Sequence, residues 1–163
     1  MIIDTHIHLD DDRYNEDLDA VLARAKEGGV KKFIIPGADP RTLEKAVGIA
    51  EKYDDVYFSI GVHPYDKDHY DESYFTKYVH HEKCVAIGEC GMDYFRLEGS
   101  EEEKAKEKAE QKEVFAAQIE LAKKYKKPLI VHVRDASHDS KMILLEHSAG
   151  EVGGVLHCFN ADE

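Results

Sequence analysis

Two histidines separated by a single residue lie near the start of the sequence, directly after a short apolar run. His6 and His8 follow Ile2 and Ile3. Because side chains alternate between the two faces of a β-strand, both imidazoles point to the same side. Two imidazoles on one face can supply half of a metal site, although a chance pair of exposed histidines would have the same spacing. Residues from elsewhere in the chain must therefore decide between these interpretations.

Further histidines and a glutamate occur at or near the ends of later apolar runs. A single histidine in such a run is more often a structural residue than a ligand. Four histidines and a glutamate that converge on one end of a sheet are harder to explain in this way, because buried polar groups are costly without a partner. The pattern therefore predicts a metal centre whose ligands are His6, His8, Glu89, His132 and His157.

The apolar runs that carry these residues alternate with segments of helical periodicity. Six strand-like runs start near residues 2, 32, 56, 84, 128 and 153, and five amphipathic segments separate them. This alternation is typical of a parallel α/β fold. At about 30 residues per step, eight units would need about 240 residues, which is close to the length of a TIM (β/α)8 barrel.

The predicted fold is therefore a truncated TIM barrel, of which the chain supplies about the first six βα units. We expect residues 1–163 to form a single domain that lacks strands seven and eight. The active sites of such barrels lie at the carboxyl ends of the strands, where the predicted ligands fall.

Composition narrows the range of functions. Charged residues make up 34% of the chain, and its net charge is −12. A strongly acidic chain is unsuited to extended, sequence-independent wrapping of nucleic acid, which relies on a broad positive surface. The acidic composition does not exclude an enzyme that binds a single phosphodiester through metal ions, because a pair of divalent ions reverses the sign of the local electrostatic field.

Three features bear on the cellular setting. No apolar run approaches the roughly 20 residues of a membrane-spanning helix, so no membrane partner is expected. The sequence begins without the basic and apolar regions of a signal peptide. Its three cysteines have no framework spacing, which favours reduced thiols and a cytoplasmic protein.

Five ordered motifs resemble the signatures of the TatD-type metal-dependent deoxyribonucleases, which belong to the amidohydrolase-like set of metal-dependent TIM barrels. The resemblance implies that His6 and His8 hold one divalent ion. His132 and His157 would hold a second ion, and Glu89 would bridge the two. The family also has an aspartate ligand at the end of its last barrel strand, so the first ion is expected to lack one ligand in this chain. The motifs are Asp4-Thr5-His6-Ile7-His8, Gly61-Val62-His63-Pro64, Gly88-Glu89-Cys90-Gly91-Met92-Asp93-Tyr94, Val131-His132-Val133-Arg134-Asp135-Ala136 and Gly154-Val155-Leu156-His157-Cys158-Phe159.

The donor set fits two divalent metal ions as cofactors. Imidazoles and a carboxylate suit zinc, manganese or magnesium, and the excess of histidine favours zinc or another transition metal. Two ions about 3.5–4 Å apart can share a bridging carboxylate and clamp the attacking and leaving oxygens of a phosphodiester. They also lower the pKa of bound water to roughly 7, so a nucleophile is present at neutral pH.

Two further residues are candidates for substrate contact, and with Glu89 they complete the predicted catalytic group. His63 lies in a loop at the mouth of the barrel. Arg134 has a planar fork that matches phosphate oxygens, although an ion pair with Asp135 would make its role structural. Two aspartates are predicted to orient ligating histidines by hydrogen bonds, namely Asp4 and Asp93.

The expected activity is the metal-dependent hydrolysis of phosphodiester bonds in DNA by a metal-activated water. Barrels of the wider set often bridge their metals with a modified lysine on strand four, whereas this chain has Glu89 there, which favours the nuclease branch. Two alternatives stay open. One is a hydrolase of a small amide, lactone or phosphoester, and the other is an inactive metal-binding fragment whose unpaired edge strands promote association.

A charged segment at residues 98–113 precedes the apolar stripe that starts at Val114. Both signs of charge mix within it, which predicts a solvated helix with ion pairs between successive turns. A mobile flap over the site is the alternative interpretation. The segment is longer than the one that TatD-type proteins usually have at this place.

Overall fold

The strands of this protein lie side by side in the order in which they occur in the sequence. The computed structural model describes residues 1–159. In it, one six-stranded sheet has the order β1-β2-β3-β4-β5-β6, and every neighbouring pair is parallel. This curled sheet corresponds to six of the eight strands of a TIM barrel, so the predicted fold class is confirmed. The strands are β1 (Ile2–Asp4), β2 (Val30–Ile35), β3 (Val56–Ile60), β4 (Cys84–Asp93), β5 (Leu129–Arg134) and β6 (Gly154–His157).

Five α-helices connect these strands, as the periodicity predicted. Phe75 and Phe115 of the helices belong to the same buried cluster as Phe33 and Phe58 of the strands, so the core lies between helices and sheet. Within residues 1–159, no helix combines the length and the apolarity that crossing a membrane requires. The helices are α1 (Leu18–Glu27), α2 (Leu43–Lys52), α3 (Glu72–Tyr78), α4 (Glu101–Tyr125) and α5 (Ser137–Glu146).

The fourth strand is longer than its apolar run predicts. The sequence pattern predicts a strand over Cys84–Gly88, but β4 continues to Asp93. The additional residues are buried, and they pair with β5 as far as Arg134. Glu89 therefore lies within β4 rather than in the loop that follows it. The register of the β4–β5 pairing shifts between Gly88 and Cys90, and the backbone N–H of Glu89 donates a hydrogen bond to the carbonyl of Gly37 at 3.0 Å.

The charged segment at residues 98–113 is helical from Glu101 onward, which confirms the predicted helix. It also holds a buried cation from the turn that follows β3. The side chain of Lys67 is 8% exposed, and its Nζ lies 3.2 Å from Glu107 and 3.0 Å from Glu110. The segment thus packs against this turn instead of forming a flap over the site, and only part of its charge is solvated.

The two outer strands of the described sheet, β1 and β6, carry exposed apolar side chains. Ile2 and Ile3 are 54% and 41% exposed, and Val155 and Leu156 are 50% and 45% exposed. Apolar side chains at an outer strand favour contact with a further strand or with another chain.

Candidate metal centre

The predicted ligands come from four strands and meet at one end of the sheet. His6 and His8 follow β1, and Glu89 lies in β4. The parallel register of β5 and β6 places His132 beside His157. Because the carboxyl ends of parallel strands share one edge, residues far apart in the sequence become neighbours there.

Glu89 lies at the centre of this group, and each of its oxygens faces a different pair of histidines. Its side chain is 3% exposed, and Oε2 lies 3.3 Å from Nε2 of His6 and 3.8 Å from Nε2 of His8. Oε1 lies 2.8 Å from Nδ1 of His132 and 3.9 Å from Nε2 of His157. These two pairs are the ones that the family resemblance assigns to two separate ions.

The donor atoms also allow a grouping that the sequence did not predict. The ring centroids of His63 and His132 are 4.3 Å apart, and Asp93 adjoins both rings. Within each of two groups of three residues, the donor atoms lie within 4.8 Å of one another. The arrangement therefore adds His63 and Asp93 to the residues that can hold an ion. The groups are His6, Glu89 and His157, and His63, Asp93 and His132.

The two aspartates that were predicted to orient histidines make different contacts. Oδ2 of Asp93 lies 2.8 Å from Nε2 of His132, and its Oδ1 accepts a hydrogen bond from the backbone N–H of Phe95 at 2.9 Å. Asp4 instead accepts a hydrogen bond from the backbone N–H of His6 at 3.2 Å. Asp93 thus fixes an imidazole ring, whereas Asp4 fixes the backbone from which a ring projects.

The protonation states of the buried groups suit metal binding. Burial opposes ionisation of Glu89, but hydrogen bonds from His132 and His6 outweigh it and hold the pKa of this carboxyl well below its usual range. Burial lowers the pKa of His63 to about 4, so its ring is neutral at pH 7. Burial also opposes protonation of His132, but contacts with Glu89 and Asp93 outweigh it and raise the pKa of this ring, so an ion competes there with a proton. An ionised carboxylate among imidazoles is a donor set that fits divalent ions.

Gly88 and Gly91 flank Glu89 and allow β5 to approach closely. A Cβ atom on Gly88 would lie 2.5 Å from the carbonyl oxygen of Ile130, and one on Gly91 would lie 2.1 Å from that of His132. The φ angles of Gly88 and Gly91 are +150° and +132°, which residues with a Cβ atom rarely adopt. The backbone of β5 occupies the space that the glycines leave, and His132 is thereby brought next to Glu89.

The two predicted substrate-contact residues lie at the same end of the sheet. His63 begins the turn after β3, where its Nδ1 accepts a hydrogen bond from the backbone N–H of Tyr65 at 3.2 Å. Arg134 ends β5, and its Cζ lies 3.5 Å from the centroid of the Phe95 ring. The guanidinium of Arg134 thus packs on an aromatic ring. The alternative of an ion pair with Asp135 stays a prediction.

Two buried glutamines of α4 form hydrogen bonds with the backbone next to the site, and the sequence analysis identified neither of them. Gln118 accepts a hydrogen bond from the N–H of Val62 at 2.8 Å and donates one to the carbonyl of the same residue at 3.0 Å. Gln111 contacts the backbone of Asp93 in the same way, at 3.0 and 3.1 Å. Residues seven apart lie on one face of a helix. The available signal is two uncharged amides at this spacing in one helix, the first in a run of Glu and Lys and the second in the apolar stripe that follows it.

Replacing Gln118 with leucine is expected to lower the free energy of unfolding by about 2–4 kcal/mol, because the buried N–H and C=O of Val62 would lose their partners. Urea unfolding followed by circular dichroism measures the difference. Glu113→Leu changes an exposed position of the same helix and should alter stability by less than about 0.5 kcal/mol. If the free energy of unfolding falls equally little in both variants, Gln118 does not stabilise the backbone that follows β3.

A parallel βα barrel sheet with histidines around a buried carboxylate at the carboxyl ends of its strands is an arrangement that suits the binding of divalent metal ions. The chain belongs to the TatD family, because the family model described as TatD related DNase matches residues 3–163. The resemblance carried by the five sequence motifs is thereby confirmed.

Relatives and solved structures agree with this assignment. The uncharacterized metal-dependent hydrolase YabD of Bacillus subtilis is 41% identical over 162 residues, which cover 98% of this chain and 61% of the relative. The 3'-5' ssDNA/RNA exonuclease TatD of Escherichia coli is 33% identical over 97% of this chain and 59% of its own length. The crystal structure of the TatD homolog YJJV from Escherichia coli K12 has a TM-score of 0.86 at 29% identity, over 99% of this chain and 61% of that one. The chain thus spans about three fifths of the length of the relatives it matches.

Proposed function

We propose that this protein hydrolyses phosphodiester bonds in DNA with two divalent metal ions as cofactors. The observation that carries the proposal is the position of Glu89, whose two carboxylate oxygens face different pairs of histidines. A carboxylate placed in this way can bridge two ions, and a two-ion site is suited to the displacement at phosphorus that cleaves a phosphodiester. The printed name of relatives, 3'-5' ssDNA/RNA exonuclease, supports a nucleic acid as substrate.

In this proposal, residues 1–163 act as one hydrolase domain. His6 and His8 would hold one ion, the histidines of β5 and β6 (His132 and His157) would hold the other, and Glu89 would be a ligand of both. The excess of histidine over carboxylate favours zinc or another transition metal over magnesium. When bound, the ions supply a hydroxide nucleophile at neutral pH and polarise the phosphodiester.

The protein's own groups position the reactants. Asp93 keeps the ring of His132 in one orientation through the contact at Nε2. His63 is neutral at pH 7 and can exchange a hydrogen bond with the substrate at the mouth of the site. Arg134 can donate two parallel hydrogen bonds to a phosphate, which adds both attraction and geometric selection.

We also propose a reduced, cytoplasmic setting. Cys84 and Cys90 are buried free thiols, and Cys158 is an exposed free thiol. An exposed thiol without a partner persists most readily where glutathione and thioredoxin keep cysteines reduced. Alkylation of freshly lysed cells followed by mass spectrometry of the chain tests this setting, since an oxidised Cys158 would contradict it.

The proposed activity is tested by incubating the purified protein with labelled single-stranded and duplex DNA in the presence of Mn²⁺ or Zn²⁺. We expect cleavage that EDTA abolishes and that an excess of the ion restores. A parallel panel of small phosphoesters, lactones and amides identifies the alternative class of substrate. Turnover confined to that panel, or no chelator-sensitive cleavage of DNA, would contradict the proposal.

A further inference from the structure

Asp10 is a buried carboxylate next to the first histidine pair (His6 and His8), and the sequence analysis gave it no role. The residue is 7% exposed. Its Oδ2 accepts a hydrogen bond from the hydroxyl of Thr42 at 2.6 Å. Its Oδ1 is also buried, and it has no hydrogen-bond partner within residues 1–159. Because a buried polar atom is costly without a partner, Oδ1 requires a donor close by.

The ring of His8 is placed to supply this donor. Its Nδ1 lies 4.0 Å from Oδ1 of Asp10, and its Nε2 lies 3.8 Å from Oε2 of Glu89. The His8 side chain is 42% exposed, so the ring has room for the shift of about 1 Å that would complete a hydrogen bond to Asp10. In a neutral imidazole with its proton on Nδ1, the lone pair is on Nε2. That nitrogen is the one that faces Glu89.

The second histidine pair contains the same arrangement. Nδ1 of His132 lies 2.8 Å from Oε1 of Glu89, and its Nε2 lies 2.8 Å from Oδ2 of Asp93. In each pair, one imidazole thus lies between Glu89 and a further carboxylate. A carboxylate behind a metal-binding imidazole fixes the tautomer and the orientation of the ring and raises its basicity.

The neighbouring acidic residue, Asp11, has other partners. Its Oδ1 accepts a hydrogen bond from the backbone N–H of Arg13 at 2.9 Å, and its Oδ2 accepts one from the guanidinium of the same residue at 2.8 Å. Asp10 is held at Oδ2 by Thr42, the residue directly before α2. This contact leaves Oδ1 on the side of His8.

We propose that Asp10 is a positioning residue that keeps the proton of His8 on Nδ1 and directs the lone pair of Nε2 toward the first ion. The inference rests on the proposed function, which places an ion at His6 and His8. In this role Asp10 contacts neither an ion nor the substrate, and it acts through the ring of His8 alone. The hydroxyl of Thr42 in turn holds Asp10, so the residue before α2 contributes to the affinity for that ion.

The first test uses the protein without metal. Long-range ¹H–¹⁵N correlation spectra of protein labelled with ¹⁵N-histidine, recorded at pH 8 after removal of metal ions, report which ring nitrogen carries the proton. The His8→Gln variant identifies the signals of His8. We expect the Nδ1–H tautomer in the unmodified protein. Asp10→Asn should shift the ring toward the Nε2–H tautomer, because the negative charge that favours a proton on Nδ1 is lost.

The second test measures metal affinity by titration of Mn²⁺ or Zn²⁺ in competition with a chromophoric chelator. We expect Asp10→Asn to bind one of the two ions about 10–100-fold less tightly, as is typical when the carboxylate behind a ligating imidazole is lost. Thr42→Val should weaken the binding of the same ion, because Oδ2 of Asp10 loses its donor. Thr42→Ser keeps the hydroxyl and should retain the affinity.

Asp11→Asn is the matched control, because it removes the same charge from the adjacent residue. It should leave the tautomer of His8 and both metal affinities unchanged. In the His8→Gln background, Asp10→Asn should lower metal affinity no further, since the ring through which Asp10 acts is absent. Circular dichroism verifies the fold of each variant.

Two results would overturn the inference. One is a proton on Nε2 of His8 in the unmodified, metal-free protein, a result that needs no variant to fold. The other is an unchanged affinity for both ions in folded Asp10→Asn. Neither measurement involves a substrate. If the tautomer and the affinities are as expected but DNA is not cleaved, the proposed function fails and the role of Asp10 stands.

Discussion

Replacing Glu89 with glutamine is expected to lower metal-dependent hydrolysis by about a thousandfold or more. The amide keeps the size of the side chain but loses its negative charge and one of its two metal-binding oxygens. It can no longer face both histidine pairs as an acceptor, which the carboxylate does through Oε1 and Oε2. Metal ions contribute several kcal/mol to catalysis of this kind, and about 4 kcal/mol corresponds to a thousandfold in rate.

Three measurements separate this effect from unfolding. Elemental analysis gives the number of ions per chain, which should fall in Glu89→Gln. Rates of DNA cleavage at saturating Mn²⁺ give the loss of activity. Circular dichroism should show an intact fold, because the substitution conserves volume within β4.

A control for this variant exists on the surface of the protein. Glu120 of α4 forms the same kind of contact with an imidazole, 2.9 Å from Nδ1 of His147 just after α5, and neither residue is a predicted ligand. Glu120→Gln should retain full activity and metal content. Full activity of Glu89→Gln with an unchanged ion count would show that Glu89 does not bridge two ions.

Replacing Gly91 with alanine is expected to destabilise the protein by at least about 3 kcal/mol, as a steric clash and an unfavourable backbone conformation act together. The added Cβ atom would lie 2.1 Å from the carbonyl oxygen of His132, which belongs to the backbone of β5 and cannot rotate away. The φ angle of Gly91, +132°, is also one that alanine rarely adopts. We expect β4 and β5 to separate locally and the metal centre to be lost with them.

Thermal and urea unfolding of Gly91→Ala measure this effect, and Gly48→Ala is the matched control. Gly48 lies on the exposed side of α2, where a Cβ atom would meet nothing within 4 Å. In a helix interior, alanine is favoured over glycine by roughly 0.5–1 kcal/mol, so this variant should gain stability. Similar stabilities of the two variants would show that β5 does not approach Gly91 as closely as described.

Much of the fold is predictable from the sequence because its signals are local. Apolar residues at every second position identify strands, and apolar residues three and four positions apart identify helices. Both patterns can be recognised within one segment, without knowledge of the segments that it packs against. The six strands and five helices follow from these patterns. Since the carboxyl ends of barrel strands share one edge, the residues able to reach the site, from His6 to His157, are also predictable.

Contacts between distant segments are not predictable in this way. Gln118 and Val62 are 56 residues apart, and nothing in either neighbourhood identifies the other as its partner. Lys67 and Glu110 meet only because α4 packs against the turn after β3. The extension of β4 to Asp93 likewise depends on pairing with β5.

Sequence thus sets which chemical groups line the end of the sheet, since residue type and strand periodicity are properties of each segment alone. The way in which those groups combine is a property of the folded chain. Strand register and helix packing place Glu89 between two histidine pairs, hold Asp93 against His132 and lay Arg134 over Phe95. Each of these contacts joins residues whose local sequences do not identify each other as partners. Only the packing of the whole sheet with its helices brings such residues together.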